Sequence, residues 1–247
     1  MIGRRGAAGL LTAVLAVGAP PPAFRPAPRS PDALRVLLVT GGHDHDVAFY
    51  SAFDGQDDLE VTVDGHPSAF ASPFGKTGRR VDVLVLYDMP KDVPDAQRAN
   101  VQRYVEEGGG VVGLHHALSG SVGWDWLHEE VLGARWNFEA TPGVSPSQYK
   151  HDEDIAVRIV SRHALTAGLG DFRIVDETYK KLWMSPRMNV LLRTDHPLSD
   201  GPVAWTMPHP HARLAVIQLG HDREAHLSPS WRKLVGNALR WAGGRAS

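Results

Sequence analysis

The chain has 247 residues, 43% hydrophobic and 22% charged, with 13 histidines and no cysteine. That size holds one large domain or two small ones, and the composition is that of a globular protein. The lack of cysteine excludes disulfides, thiolate metal sites and a cysteine nucleophile. The formal charge is −2, but Arg4, Arg5, Arg25 and Arg29 precede the first acid, which leaves 22 basic and 28 acidic residues in the remainder. A body with that balance lacks the basic face of a nucleic-acid binder.

Residues 1–19 read as a signal peptide. Arg4-Arg5 precede an apolar run over 7–18, and Val17-Gly18-Ala19 supplies small residues at its exit. The run is well short of the ~20 residues that span a bilayer, so no stable membrane span is expected. This reading predicts an exported protein, periplasmic or extracellular; the alternative is an Ala-rich disordered tail. Residues 20–33 are Pro-rich and read as a linker. Residues 34–244 are then the folded domain.

Arg35–Thr40 is a compact apolar run ending in Gly41-Gly42, the pattern of a buried parallel strand. Val47–Phe53 starts a helix, Leu59–Val63 alternates as a strand, and Val81–Tyr87 is a second buried strand. Pro94 and Asp95 open an amphipathic helix that runs to Glu107 and stops at Gly108-Gly109-Gly110. Val111–Leu114 is the next strand. This order predicts an α/β protein with a doubly wound, mostly parallel sheet. Further on, Ile155–Val160, Asp171–Asp176 and Asn189–Arg193 read as strands. Val203–Thr206 and Leu214–Leu219 form an added hairpin, and Ser230–Ala242 closes the chain as a helix.

The histidines gather at strand ends. His43 and His45 follow the first strand, His115 and His116 follow Val111–Leu114, and His221 follows Leu214–Leu219. Ligands of open parallel sheets bind outside the carboxyl ends of the strands, so these groups are expected to converge on one crevice. Taken singly, each also reads as a solvated loop histidine. Gly113-Leu114-His115-His116-Ala117 places His115 at the strand-to-helix elbow that holds Ser in Gly-x-Ser-x-Gly hydrolases. His115 there is either a general base, a metal ligand, or a ring that ties down the turn. Asp176-Glu177-x-Tyr179 brings two carboxylates and a phenol together, with Glu177 and Tyr179 on one face of a strand. Glu177 is a candidate acid/base or ligand, or the partner of a nearby base such as Arg173 or Lys180.

Other patterns fail. His128-Glu129-Glu130-Val131-Leu132 lacks the second histidine of a zinc helix. No Gly-x-Gly-x-x-Gly follows a strand, so no nucleotide cofactor is expected. His209 and His211 fall at the hairpin tip and read as solvated. Trp124, Trp126 and Trp136 read as packing residues, although sugar platforms look the same.

The chain resembles the ThuA-like (trehalose utilisation) family. The matching stretches are VLLVTGGHDH (36–45), VDVLVLYDMP (81–90), VEEGGGVVGLHHALSG (105–120), SRHALTAGLGDF (161–172), VDETY (175–179), GPVAWT (201–206) and LGHDREAHLSPSWRKLVGNALRWA (219–242). The resemblance implies a class I glutamine-amidotransferase-like fold, a flavodoxin-like three-layer architecture without the usual elbow cysteine. It implies use of trehalose and related disaccharides, notably as 3-keto sugars. By resemblance His43, His115, Glu177 and His221 fall in the polar crevice of the family, with Asp176, Tyr179 and Trp205 near it; the first four are the catalytic candidates, and Asp176, Tyr179, Trp205 and His116 the substrate-binding ones. Residues 133–138 depart from the family pattern.

Two functions stand side by side. One is a carbohydrate enzyme (isomerase, lyase or hydrolase) using His/Glu acid–base chemistry, or a divalent metal held among His43, His115 and His221. The other is a non-catalytic carbohydrate-binding or scaffold module on the same fold. The expected partner is a small-molecule carbohydrate, and an oligomer is compatible with the sequence.

Overall fold

The inner parallel strands of the N-terminal half are almost wholly apolar because both of their faces are covered. In β1 (Leu34–Thr40), Val36 and Leu38 face one layer while Leu37 and Val39 face the other. The computed structural model describes residues 30, 32–66 and 68–245. The chain then runs through β2 (Leu59–Gly65), β3 (Val83–Leu86), α1 (Asp95–Glu106) and β4 (Gly110–Leu114). After these come β5 (Ala134–Arg135), β6 (Gln148–Ile159), β7 (Phe172–Lys180), β8 (Trp183–Met184) and β9 (Asn189–Arg193). The hairpin of β10 (Pro202–Met207) and β11 (Leu214–Ile217) leads into α2 (Arg223–Leu227) and α3 (Pro229–Ala242).

Among the described residues nine strands form one sheet, in the order β2-β1-β3-β4-β11-β10-β9-β6-β7. Neighbours from β2 to β11 in that order are parallel, and those from β11 to β7 are antiparallel. The two faces carry separate cores. Val101, Tyr104 and Val105 of α1 pack beneath one face, and Trp231, Leu234, Val235, Ala238 and Leu239 of α3 beneath the other. Each fully buried Leu or Val contributes about 1.5–3 kcal/mol of transfer free energy, so this two-sided cover fixes the parallel strands in place. The expected doubly wound α/β fold and the added hairpin are both present.

Several local expectations change in detail. The helix expected at Val47–Phe53 is a 3-10 helix over Val47–Ala52, started by the Asp46 carboxylate accepting from the Ala48 N–H at 2.7 Å. β6 and β7 are longer than the sequence suggests, and β7 carries on through Glu177 and Tyr179 to Lys180. His128 belongs to a π-helical turn over Leu127–Leu132, where its buried ring sits between the Ala134 and Gly120 carbonyls at 3.1 and 3.0 Å. It is a structural histidine.

The parallel register builds the floor of the site. Val39 pairs with Leu86, Leu86 with Gly113, and Leu114 with Ile217. Four strands therefore end on one line, and the residues that follow them lie side by side. The antiparallel half then curls back until β7, the last strand in the order, reaches the end of β11. There the Asp176 carboxylate accepts from the N–H groups of Gly220 at 2.7 Å and His221 at 3.0 Å.

Gly220 makes this meeting point fit. Its φ is +114°, and a Cβ there would lie 2.7 Å from the Trp231 ring. Gly220→Ala is expected to lower stability by about 1–3 kcal/mol through strain and overlap. Gly170, where a Cβ meets nothing within 4 Å, is the comparison. Urea unfolding of Gly220→Ala and Gly170→Ala checks this, with equal midpoints counting against the constraint.

Candidate functional site

His43, His116 and His221 converge on one cleft, while His45 turns away to pack against Phe49, Tyr50 and Tyr87. Its walls are His43 after β1, Met89 after β3, His116 and Ser119 after β4, His221 after β11, Glu177 and Tyr179 on β7, and His151 and Tyr149 on β6. Trp136 and Phe138 close the far side, and the volume is about 300 Å³. The His43 and His116 ring centroids are 4.2 Å apart, His116 and His221 5.3 Å, and His151 and His221 4.7 Å.

His115 lies beneath the cleft and is wholly buried. Its φ of +27° is in the left-handed region, which L side chains adopt only under constraint. The elbow geometry read from the sequence is therefore real. Its Nδ1 lies 2.6 Å from the Gln218 carbonyl, and its Nε2 lies 2.9 Å from Glu177 Oε2 and 2.8 Å from the Tyr179 hydroxyl. A carbonyl and a carboxylate only accept, so both ring nitrogens must donate and the ring is an imidazolium.

Burial opposes that charge, but the bonded Glu177 carboxylate outweighs it and raises His115 above the usual histidine pKa. For Glu177, burial pulls upward, while His115, His221 and His151 together hold it below its ordinary value. The pair is a buried salt bridge at the floor of the cleft. The reading of His115 as general base is thereby corrected: a protonated ring with both nitrogens committed has no lone pair to offer. The same commitments remove His115 from the expected metal ligands.

Asp176 is the joint rather than a substrate contact. Its two oxygens accept from the N–H groups of Glu177 at 2.8 Å, Gly220 and His221. Burial pushes its carboxyl upward against the pull of His115 and of these donors. Trp205 is likewise corrected. It is fully buried in the core, where its indole donates to the Leu132 carbonyl at 2.7 Å. Tyr179, His116, His43 and His221 do face the cleft, as expected.

Some of the wall went unread in the sequence. His151 sits in a polar run with no periodic signal. It reaches the site because the β6–β7 register shifts between Lys150 and Glu153, with Asp152 at φ +59°. A bulge of this kind re-aims a side chain. His151 Nδ1 ends 3.4 Å from Glu177 Oε1. Trp136 packs against the core as expected and also lines the cleft, whereas Trp124 and Trp126 stay with the core. His209 and His211 lie at the hairpin tip, away from the cleft.

Other histidines of this region are buried neutral. Burial drives His116 far below the usual value, with the charge of His115 adding to it. Burial also lowers His226 to about 4. Its Nε2 lies 3.0 Å from the Gly220 carbonyl and 3.2 Å from the Tyr87 hydroxyl. Between pH 6.5 and 4 the unfolded chain takes up a proton at His226 that the folded chain refuses. Stability from this group is therefore present above pH 6.5 and declines as the pH falls, by about 2 kcal/mol at pH 5. The urea midpoint is expected to drop between pH 7 and pH 5, and to drop less in His226→Gln. Identical pH profiles of the two proteins would contradict this.

A family model described as trehalose utilisation, ThuA, matches residues 35–242. No curated protein matches the chain. Among solved structures, a ThuA-like protein from Parabacteroides merdae superposes with a TM-score of 0.68 at 18% identity, covering 87% of this chain and 92% of its own. A cytoplasmic protein of Salmonella typhimurium superposes with a TM-score of 0.60 at 15% identity, covering 85% and 99%. A second cytoplasmic protein of that organism gives 0.53 at 15%, covering 85% and 98%. The naming of these two relatives as cytoplasmic overturns the expectation of export, and the leader on which it rested lies outside the described residues. Among the described residues no helix is long and apolar enough to cross a membrane. With a match that spans most of its length, the chain belongs to the ThuA trehalose utilisation family.

Proposed function

We propose that the protein is an enzyme that moves a proton next to the carbonyl of a sugar, a 3-keto derivative of trehalose or a related disaccharide. One observation carries this reading: a carboxylate fixed by a buried imidazolium at the floor of an aromatic-rimmed cleft. Glu177 Oε2 is held by His115, while Oε1 lies toward His151 and the cleft. The bonded carboxylate stays ionised and cannot rotate away.

In this scheme Glu177 takes a proton from the carbon beside the ketone, the electron pair of that C–H bond forms a C=C bond to the carbonyl carbon, and the C=O π pair moves onto the oxygen. The Tyr179 hydroxyl stands in the same cleft to donate to that oxygen. This step begins both isomerisation and elimination. Trp136, Tyr149 and Phe138 present ring faces suited to the apolar side of a sugar, and the cleft is at the small end of the about 300–1,000 Å³ usual for ligand sites. Family membership supports the substrate class.

His115 acts through Glu177 and is a positioning residue. Removing it leaves a buried carboxylate unpaired, at a cost of about 3–5 kcal/mol. Glu177→Gln keeps the shape and is the better probe. Exchange of the sugar α-proton with D2O, followed by NMR on 3-ketotrehalose, is expected with the wild type and with His211→Ala. It is expected to fall about 10²–10⁴-fold in Glu177→Gln. Saturable binding of trehalose or its 3-keto form without exchange would favour the non-catalytic binding module. Full exchange by Glu177→Gln would move the base elsewhere.

A further inference from the structure

His116 is a buried histidine without a partner. Only 2% of it is exposed, and neither Nδ1 nor Nε2 has a hydrogen bond. A buried imidazole left this way forfeits about 1–3 kcal/mol per unsatisfied polar group, a cost that folding tolerates where another ligand completes the group. Its ring is not turned into the core. It lines the cleft, between Tyr87 at 4.6 Å and His43 at 4.2 Å, centroid to centroid.

We infer that His116, His43 and His221 form a binding site for a divalent transition metal, Zn²⁺ being the ion the donor set suits best. One ring nitrogen from each lies within 4.8 Å of the others. Tetrahedral Zn–N bonds of about 2.0–2.1 Å need nitrogens about 3.3 Å apart, a contraction within reach of side-chain rotation. Three imidazoles favour Zn²⁺ or its neighbours over Mg²⁺ and Ca²⁺, which take oxygen ligands.

The surroundings fit the same ion. His43 Nδ1 lies 2.6 Å from the Asp44 carbonyl, so Nδ1 carries the proton and Nε2 keeps its lone pair. The Asp222 carboxylate lies 3.1 Å from His221 Nδ1, on the side away from Nε2. Carboxylates behind ligating histidines orient them and raise their basicity. His43 is exposed, so the fourth position of the ion opens to the cleft.

Two other groups approach the same spacing: His115, Glu177 and His221; and His151, His221 and Asp222. The first is closed because both nitrogens of His115 are already bonded. The second contains no buried residue. The choice among the three groups is therefore testable residue by residue, and it does not depend on the sugar chemistry proposed above.

The experiment uses tag-free full-length protein stripped with a chelator, with no sugar present. Equilibrium dialysis with Zn²⁺ is expected to give one ion per chain, and Co²⁺ to give the visible absorption of a tetrahedral site. His43→Ala, at an exposed position, is expected to fold like the wild type in chelator. It should bind about 100-fold more weakly or worse, and Zn²⁺ should no longer raise its Tm. His116→Gln should lose the absorption band as well. The double variant His209→Ala/His211→Ala should bind like the wild type. The inference is overturned if the wild type binds no stoichiometric ion. It is equally overturned if His43→Ala binds as tightly as the wild type, or if His151→Ala alone abolishes binding. Proton exchange that survives in the stripped protein would leave the Glu177 scheme standing without the metal, which separates the two proposals.

Discussion

The His115–Glu177 salt bridge is the interaction on which the site depends. Burying two charges costs several kcal/mol each, and the cost is offset only when geometry and further hydrogen bonds are good. Here they are. His115 has the Gln218 carbonyl on one side and the carboxylate on the other, and Gln218 also donates from its side chain to the Glu177 carbonyl at 3.2 Å. The pair joins the end of β4 to the middle of β7. It thus ties the parallel half of the sheet to the antiparallel half at the point where ligand chemistry is expected.

Asp176 makes that joint rigid. One carboxylate holds its own strand neighbour, Glu177, and the turn of Gly220 and His221 that follows β11. Three backbone donors on one buried carboxylate leave little freedom in the relative position of Glu177 and His221. Gly220 permits the close approach because it has no Cβ to meet Trp231. Packing in the α3 layer and alignment in the cleft are therefore parts of one constraint.

Much of this was legible in the sequence, because it follows from local pattern. Continuous apolar runs marked the parallel strands, and the topology of such a sheet put the residues after them on one edge. His43, His116 and His221 were found in this way, and Glu177 and Tyr179 from the alternation of their own segment. The parts that stayed hidden depend on contacts distant in sequence or on single torsions. The return of β7 to β11 is set by how the antiparallel half coils. His151 is aimed by a bulge. Trp205 shares the β10 stretch that resembles the family, yet whether it faces the cleft or the core depends on the π-helical turn that accepts its indole N–H.

The clearest case is the His115-His116 pair, since two identical neighbours have opposite fates. At an ordinary strand-to-helix junction either could face the ligand. The φ of +27° at His115 turns its ring under the cleft, toward Glu177 and Gln218, and leaves His116 on the wall. In hydrolases of the elbow type the strained residue presents a nucleophile to the substrate. Here the strained residue is an imidazolium that cannot attack or accept a proton. The elbow instead holds a positive charge where it keeps Glu177 ionised and still. The same turn thus serves a different chemistry, and the reacting group moves from the elbow residue to the carboxylate it grips.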